Sequence, residues 1–341
     1  MPNIWTHMIF GQEVVKQAGL SSWIDNQSHS KWFNMGCQGP DFLFYHHFLP
    51  WKQDKTMNKV GSAMHNQQCG PVLMDLITRT NPAERADAVY VLGFLLHHIL
   101  DRHMHPYVFV RSGFKKWDHQ RFEVLMDTHV AKRKLGVDTW RTPVWKWIDV
   151  GPSFSTNMLN SFEAVIAAHY PEFEGQIRRE AWNESIRDMV QAQKLFHDPY
   201  GWKRIVTFNQ IEPMMYKKQV APYDVMNEAR RPWPDPTGLD KQTSTSVWDM
   251  WEAAAEDAAR AIQAVLTYWR ARELASVDSK STVEAQTVHW NEVSSIDNTL
   301  IPHVEAAKQA LQQAVGNHSY ETGLPLELNR PIVVEDPIWS S

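Results

Sequence analysis

The chain has 341 residues and carries 34 Lys and Arg against 39 Asp and Glu, a formal net charge of -5. A chain of this length buries a large core, as one large or two modest domains, and its acidic balance gives no electrostatic footprint for duplex nucleic acid. Two cysteines, Cys37 and Cys69, argue against a disulfide framework and match no zinc-finger spacing. The N-terminus, MPNIWTHMIFGQE, has neither a basic n-region nor a long apolar h-region. The longest apolar run, near Val89 to Leu96, falls short of the roughly 20 residues of a membrane span. These features predict a soluble, cytoplasmic protein without a transmembrane segment.

Trp5 to Gly19 reads as a first helix, with His7 in its opening turn. Gly36 to Pro50, GCQGPDFLFYHHFLP, mixes glycine, proline and aromatics and reads as a loop leading into a short buried segment. Asp41 follows Gly39 and Pro40, where the backbone can turn a carboxylate inward or use it as a helix cap. His46 and His47 are consecutive, so at most one is expected to reach a site. His65 is expected at the start of a helix running on through Val72 to Ile77.

The next helix carries the most informative stretch, Gly93 to Tyr107, GFLLHHILDRHMHPY. His97, Asp101 and His105 fall at i, i+4 and i+8, a drift of only about 80° around a helix, so one stripe carries three metal ligands. Its lead-in is almost wholly apolar. Buried ionisable groups need partners or a metal. Pro106 predicts that the helix ends near His105 and that this side chain turns away from the other two. A following helix over 117–135 repeats the spacing in His119 and Glu123, with Asp127 one turn on, and closes on Lys132, Arg133, Lys134 and Gly136. Zinc accepts imidazole and carboxylate together. Eleven of the sixteen histidines lie in the first 129 residues, which places the chemistry in the first half.

From Asp138 to Phe154 the chain is rich in Trp and Pro, a junction between helical layers. Helical patterns follow over 154–169, 173–196 and 246–274. The last opens on Ser246 and Asp249, a capping-box-like pair, with a core stripe from Trp248 to Trp269. The Pro-rich loop over 229–240 is a surface connection able to cover a site. Residues 282–314 read as one helix or two interrupted by Pro302, and the stretch from Gly323 as an extended or frayed tail. There is no GxGxxG, P-loop, GxSxG or internal repeat. The expected fold is all-α: a metal-site domain over 1–150, a helical extension over 151–322 and a tail over 323–341.

In the order WTH, GPDFLFYHH, His65, GFLLHHILDRHMHPY and HQRFEVLMDT, the first 130 residues or so resemble the zinc-dependent phospholipase C family, especially its uncharacterised bacterial branch. The resemblance implies a multi-helix bundle of the phospholipase C and nuclease kind, with up to three zinc ions in a cleft. It places Asp41, His65, His97 and Asp101 on one zinc, and His105, His119 and Glu123 on a second. A third ion in the family is held by a processed amino terminus, a histidine matched here by His7, and the carboxylate matched by Asp101. No signal to be cut away is visible, so two ions are expected.

The implied activity is metal-dependent hydrolysis of a phosphodiester or phosphomonoester, of a small molecule or a lipid. Zinc lowers the pKa of water to near neutrality, and Asp41, besides ligating, accepts the proton of the attacking water. Two alternatives stand beside it: a single-strand-specific nuclease or nucleotidase, with bases stacked on aromatics, and a non-catalytic helical binding module whose zinc supports the fold.

Overall fold

Apolar residues recur at helical spacing along most of the chain, and the fold is all-α. The computed structural model describes residues 4–115, 117–278 and 304–340, and the only strands among them are Trp233–Pro234 (β1) and Gln242–Thr243 (β2), paired antiparallel. The helices are α1 (Ile4–Gln17), α2 (Gln27–Gly36), α3 (Thr56–Asn66), α4 (Cys69–Arg79), α5 (Arg85–Ser112), α6 (Asp118–Leu135), α7 (Trp145–Ile148), α8 (Thr156–His169), α9 (Glu180–Phe196), α10 (Trp202–Val206), α11 (Val247–Asp278) and α12 (Val304–Val315). None is long and apolar enough to cross a membrane.

Helix α5 is the axis of the fold. It is buried around nearly its whole circumference, as its all-round apolar sequence requires, with α1, α2, α6 and α11 packed against it. Its 28 residues make a rod about 42 Å long. Contrary to the sequence expectation, it does not stop at His105 but continues through Pro106 to Ser112, ending at Gly113 with φ +77°. Proline removes the N–H that would reach the Arg102 carbonyl one turn back. Packing on every side holds the helix together across that gap.

Two glycines let α2 and α5 approach until their backbones touch. A Cβ on Gly36 would sit 2.1 Å from the Tyr90 carbonyl oxygen, and one on Gly93 would sit 2.5 Å from the Phe33 carbonyl oxygen. The remaining ends follow local chemistry. Helix α6 closes with Gly136 at φ +67°, its N–H on the Lys132 carbonyl, and Val137 N–H on that of Ala131. Helix α11 opens with Ser246 and Asp249 capping each other reciprocally, Ser246 N–H to Asp249 Oδ2 at 2.7 Å and Asp249 N–H to Ser246 Oγ at 3.3 Å. Its stripe is core: Trp251, Ala258, Ile262, Val265 and Trp269 are buried.

One further expectation is corrected. His65 lies at the end of α3, not the start of a helix; Gln68, at φ +53°, breaks the chain before α4 begins. Of the two readings of the stretch from Gly323, it takes the packed, extended one, along α5, with Asp336 N–H on the Val110 carbonyl and Trp339 Nε1–H on that of Ser112. Of the helical pattern over 282–314, residues 282–303 lie outside the described residues.

Because α2 and α5 meet backbone to backbone, Gly93→Ala should lower the free energy of unfolding by about 1–3 kcal/mol, read as a drop in denaturant midpoint. An unchanged midpoint would show that the crossing has slack.

Candidate metal centre

Four elements converge on the middle of α5. Helix α1 brings His7, the 3-10 segment Gly39–Tyr45 brings Asp41, α3 brings His65, α5 brings His97, Asp101 and His105, and α6 brings His119 and Glu123. The structure thus draws together all eight residues singled out in the sequence. They form three groups, the first two sharing His97: His7, His97 and Asp101; Asp41, His65 and His97; His105, His119 and Glu123. Within each, one ligand atom per residue lies within 4.8 Å of the others. His105 stays on the stripe because the helix does not end there, its Nε2 lying 3.5 Å from Asp101 Oδ1 and 3.6 Å from Glu123 Oε1. Asp101 Oδ1 lies 3.1 Å from His7 Nε2, Asp101 Oδ2 lies 3.0 Å from His97 Nε2, and Glu123 Oε1 lies 2.7 Å from His119 Nε2. Gly39, at φ +50°, is needed here, since a Cβ would meet the His97 ring at 2.1 Å.

The ring nitrogens turned away from this cluster decide what it can hold. Nδ1 of His65 bonds the Gly61 carbonyl at 2.7 Å, Nδ1 of His97 that of Cys37 at 3.0 Å, and Nδ1 of His105 that of Tyr320 at 3.0 Å. A carbonyl can only accept, so each Nδ1 carries the proton and a neutral ring turns an Nε2 lone pair inward. Those lone pairs face carboxylate oxygens: His65 Nε2 is 3.0 Å from Asp41 Oδ1, which also lies 3.9 Å from His97 Nε2. Nε2 of His7, His97 and His105 and both oxygens of Asp101 are buried without a properly angled hydrogen bond. Lone pair against lone pair at this depth is repulsive unless cations lie between, either protons on the imidazoles or divalent metal. Imidazole fixed through Nδ1 to a carbonyl, with carboxylate alongside, is the donor set zinc takes. The residues present fit that metal.

The electrostatics agree. Burial alone would keep His97 and His105 neutral, yet Asp101 beside both, with Asp41 near His97 and Glu123 near His105, raises their pKa above the ordinary value. Burial works to neutralise Asp101, but His105, His97 and His7 hold it far below the usual carboxylate range. His7 itself, buried and next to His97, is lowered to about 4.

Comparison with known protein families matches residues 6–183 to zinc-dependent phospholipase C. The chain belongs to that family. No curated protein and no solved structure matches it. Family membership makes this phospholipase C relative a protein of the zinc-dependent phosphoester-hydrolase kind, and its metal groups are of the type zinc occupies.

Several roles around the centre escaped the sequence reading. Asp127, one turn beyond Glu123, joins none of the ligand groups. It accepts from Trp5 N–H (3.0 Å), Thr6 N–H (2.8 Å), Thr6 Oγ1 (2.5 Å) and Tyr216 OH (2.6 Å), and so pins the start of α1 where His7 stands. Burial pushes its carboxyl up to about 7 against those donors. The C-terminal segment, beyond the family match, also closes over the site. Tyr320 accepts from His105 through its carbonyl, donates its N–H to the His65 carbonyl (3.1 Å), and lays its ring 4.8 Å from that of His65 and 5.8 Å from that of His97. Gly323 holds the strap down where Pro106 leaves the Arg102 carbonyl without its helical donor; a Cβ there would lie 2.2 Å from that oxygen. A glycine and a tyrosine over 200 residues from their targets give no local signal.

Gly323→Val, strained at φ +67° and obstructed by Arg102, should lift the strap, loosen His105 and weaken zinc binding by about 10–100-fold. Chelator competition measures this; an unaltered affinity would leave the strap with no part in holding the ligands.

Proposed function

We propose that the centre is the active site of a zinc-dependent hydrolase of phosphodiesters or phosphomonoesters. Asp41, His65, His97 and Asp101 would hold one zinc and His105, His119 and Glu123 a second, with His7 and Asp101 able to share a third. The observation that carries this reading is the ring of imidazole lone pairs facing buried carboxylates across 3.0–3.9 Å. Bound zinc supplies Lewis acidity toward phosphoryl oxygens and lowers the pKa of water to near neutrality. The Asp41 carboxylate, shared between His65 and His97, is the group placed to take a proton from the attacking water. Asp101, with an imidazole on either side of each approach, keeps the two ligand groups in register.

The way in is at His119. Its side chain is 16% exposed, against 5% or less for the other ligand side chains in these pairs. The Phe109 ring lies 4.6 Å from His119 and borders a cavity of about 490 Å³, walled also by Asn66, Phe114, Thr322, Arg330 and Ile332. That volume suits the organic part of a compact ester or a lipid head group. One surface feature favours a lipid over a free nucleotide. Tyr200, Trp202, Ile205 and Phe208 are 57–89% exposed beside Lys203 and Arg204, and aromatic rings mixed with cations suit a lipid–water boundary.

Hydrolysis of phosphatidylcholine vesicles, p-nitrophenyl phosphate, bis-p-nitrophenyl phosphate, short oligonucleotides and 3′-nucleotides, before and after chelation and zinc replacement, tests the reading. Zinc-restored activity on at least one is expected; zinc-loaded protein inert on all would leave a non-catalytic role. Asp101→Asn should lose zinc and hydrolysis together, by more than about 100-fold, since even neighbours of ligands cost 10–100-fold. An active Asp101→Asn protein would remove that residue from the site.

Proton linkage gives a further test. Zinc requires neutral imidazoles, whereas the metal-free His97 and His105 hold protons above their ordinary pKa. Zinc binding near neutral pH should release protons and weaken as pH falls. Calorimetry in buffers of different ionisation enthalpy measures the release; a buffer-independent heat would contradict it.

A further inference from the structure

Away from the central cluster, the loop between the Asp41 segment and the His65 helix holds a second constellation. His46, His47 and Asp54 each place one ligand atom within 4.8 Å of the others. Neighbouring residues in a chain ordinarily point apart, so at most one of the two histidines was expected at any one place. The structure brings them together because His47 adopts a left-handed backbone, φ +53°, which stacks the two rings with centroids 3.8 Å apart. A non-glycine residue held there is strained, and such strain gathers at ligand clamps.

The hydrogen bonds around the pair have a consistent polarity. His46 is completely buried, and its Nε2 lies 3.2 Å from Glu184 Oε2. A carboxylate can only accept, so Nε2 carries the proton and Nδ1 is left with its lone pair. Nδ1 of His46 is buried without a partner, and so is Nδ1 of His47. Carboxylate, histidine and then an unshared lone pair is the arrangement that orients an imidazole for a metal. The backbone is fastened as well: His47 N–H donates to Asp188 Oδ2 at 2.8 Å, and Lys55 Nζ donates to the His47 carbonyl at 2.7 Å. Asp54 is anchored by the Thr56 N–H on its Oδ1 at 3.0 Å.

We propose that His46, His47 and Asp54 form a separate binding site for a zinc-type divalent cation, which staples the loop joining the Asp41 segment to the His65 helix. Two imidazoles and one carboxylate are a zinc-type donor set, and the exposed position of Asp54 leaves further coordination to solvent. Joint ligation requires the rings to splay beyond their present 26°, and a cavity of about 180 Å³ beside His47 gives them room. The ion takes no part in the central chemistry. It fixes the span of chain whose two ends carry ligands of the centre.

The test is a zinc count on the full-length protein, equilibrated with micromolar free zinc chloride and freed of excess by gel filtration. His47→Gln and Asp54→Asn, both outside the buried core, are compared with the unaltered protein and with Asp101→Asn. The expected result is one zinc fewer per chain in each loop variant, at least ten-fold weaker zinc binding at that site by dye competition, and circular dichroism like that of the unaltered protein. Asp101→Asn should lose zinc from the centre while keeping the loop ion. Equal zinc content in the unaltered protein and both loop variants would overturn the proposal and leave the hydrolase reading untouched. Zinc missing only in Asp101→Asn would do the same. Should the histidine variant misfold, Asp54→Asn alone decides between these results.

Discussion

The structure turns on one buried carboxylate. Asp101 is fully buried on α5 with its oxygens 3.0–3.5 Å from three imidazole nitrogens, none at a hydrogen-bonding angle. Burying charged groups without compensation costs several kcal/mol each, so this centre demands positive charge that the chain itself does not supply except by protonation. Of the histidines beside it, His97 and His105 are fixed through Nδ1 to the carbonyls of Cys37 and Tyr320, and His65, beside Asp41, is fixed in the same way to that of Gly61.

That demand explains why the fold is built around a single long helix. An all-round apolar helix can carry three such side chains at four-residue spacing only if other elements enclose it, and of the helices packed on α5, α1 and α6 bring candidate ligands of their own. The close α2–α5 crossing at Gly36 and Gly93, and the close approach of Gly39 to the His97 ring, set how near these elements come. Metal affinity and core packing are therefore two readings of the same contacts. The Pro106 gap is part of the arrangement: the carbonyl it leaves without a donor is where the C-terminal strap sits, and the strap carries the Tyr320 carbonyl that orients His105.

Membership of the zinc-dependent phospholipase C family covers residues 6–183 and so the eight candidate ligands, but not the strap or the exposed segment around Tyr200 to Phe208. These features give this chain its own character. The strap walls the cavity beside His119, and the exposed aromatics and cations lie on the chain between α9 and the Tyr216 contact with Asp127. The proposed loop ion would act on the same scaffold from a third side.

What the sequence determined by itself was local and periodic. Helical class, the cap at Ser246, the glycine stop at Gly136 and the stripe of His97, Asp101 and His105 all follow from spacing and backbone preference within a few turns. The eight candidate ligands were legible because their types and order repeat a family pattern. Tertiary structure decided what spacing cannot. Pro106 disfavours a helix locally, yet packing on all sides carries α5 past it; Gln67 leaves α3 in extended backbone and Gln68 turns left-handed into α4, which no periodicity announces; consecutive histidines share one place because the backbone at His47 is left-handed. The hydrogen bonds that fix His105 and pin α1 come from Tyr320 and Asp127, across 215 and up to 122 residues of sequence. Such partners are chosen by the global packing of helices, a long-range property that no short window of residues contains.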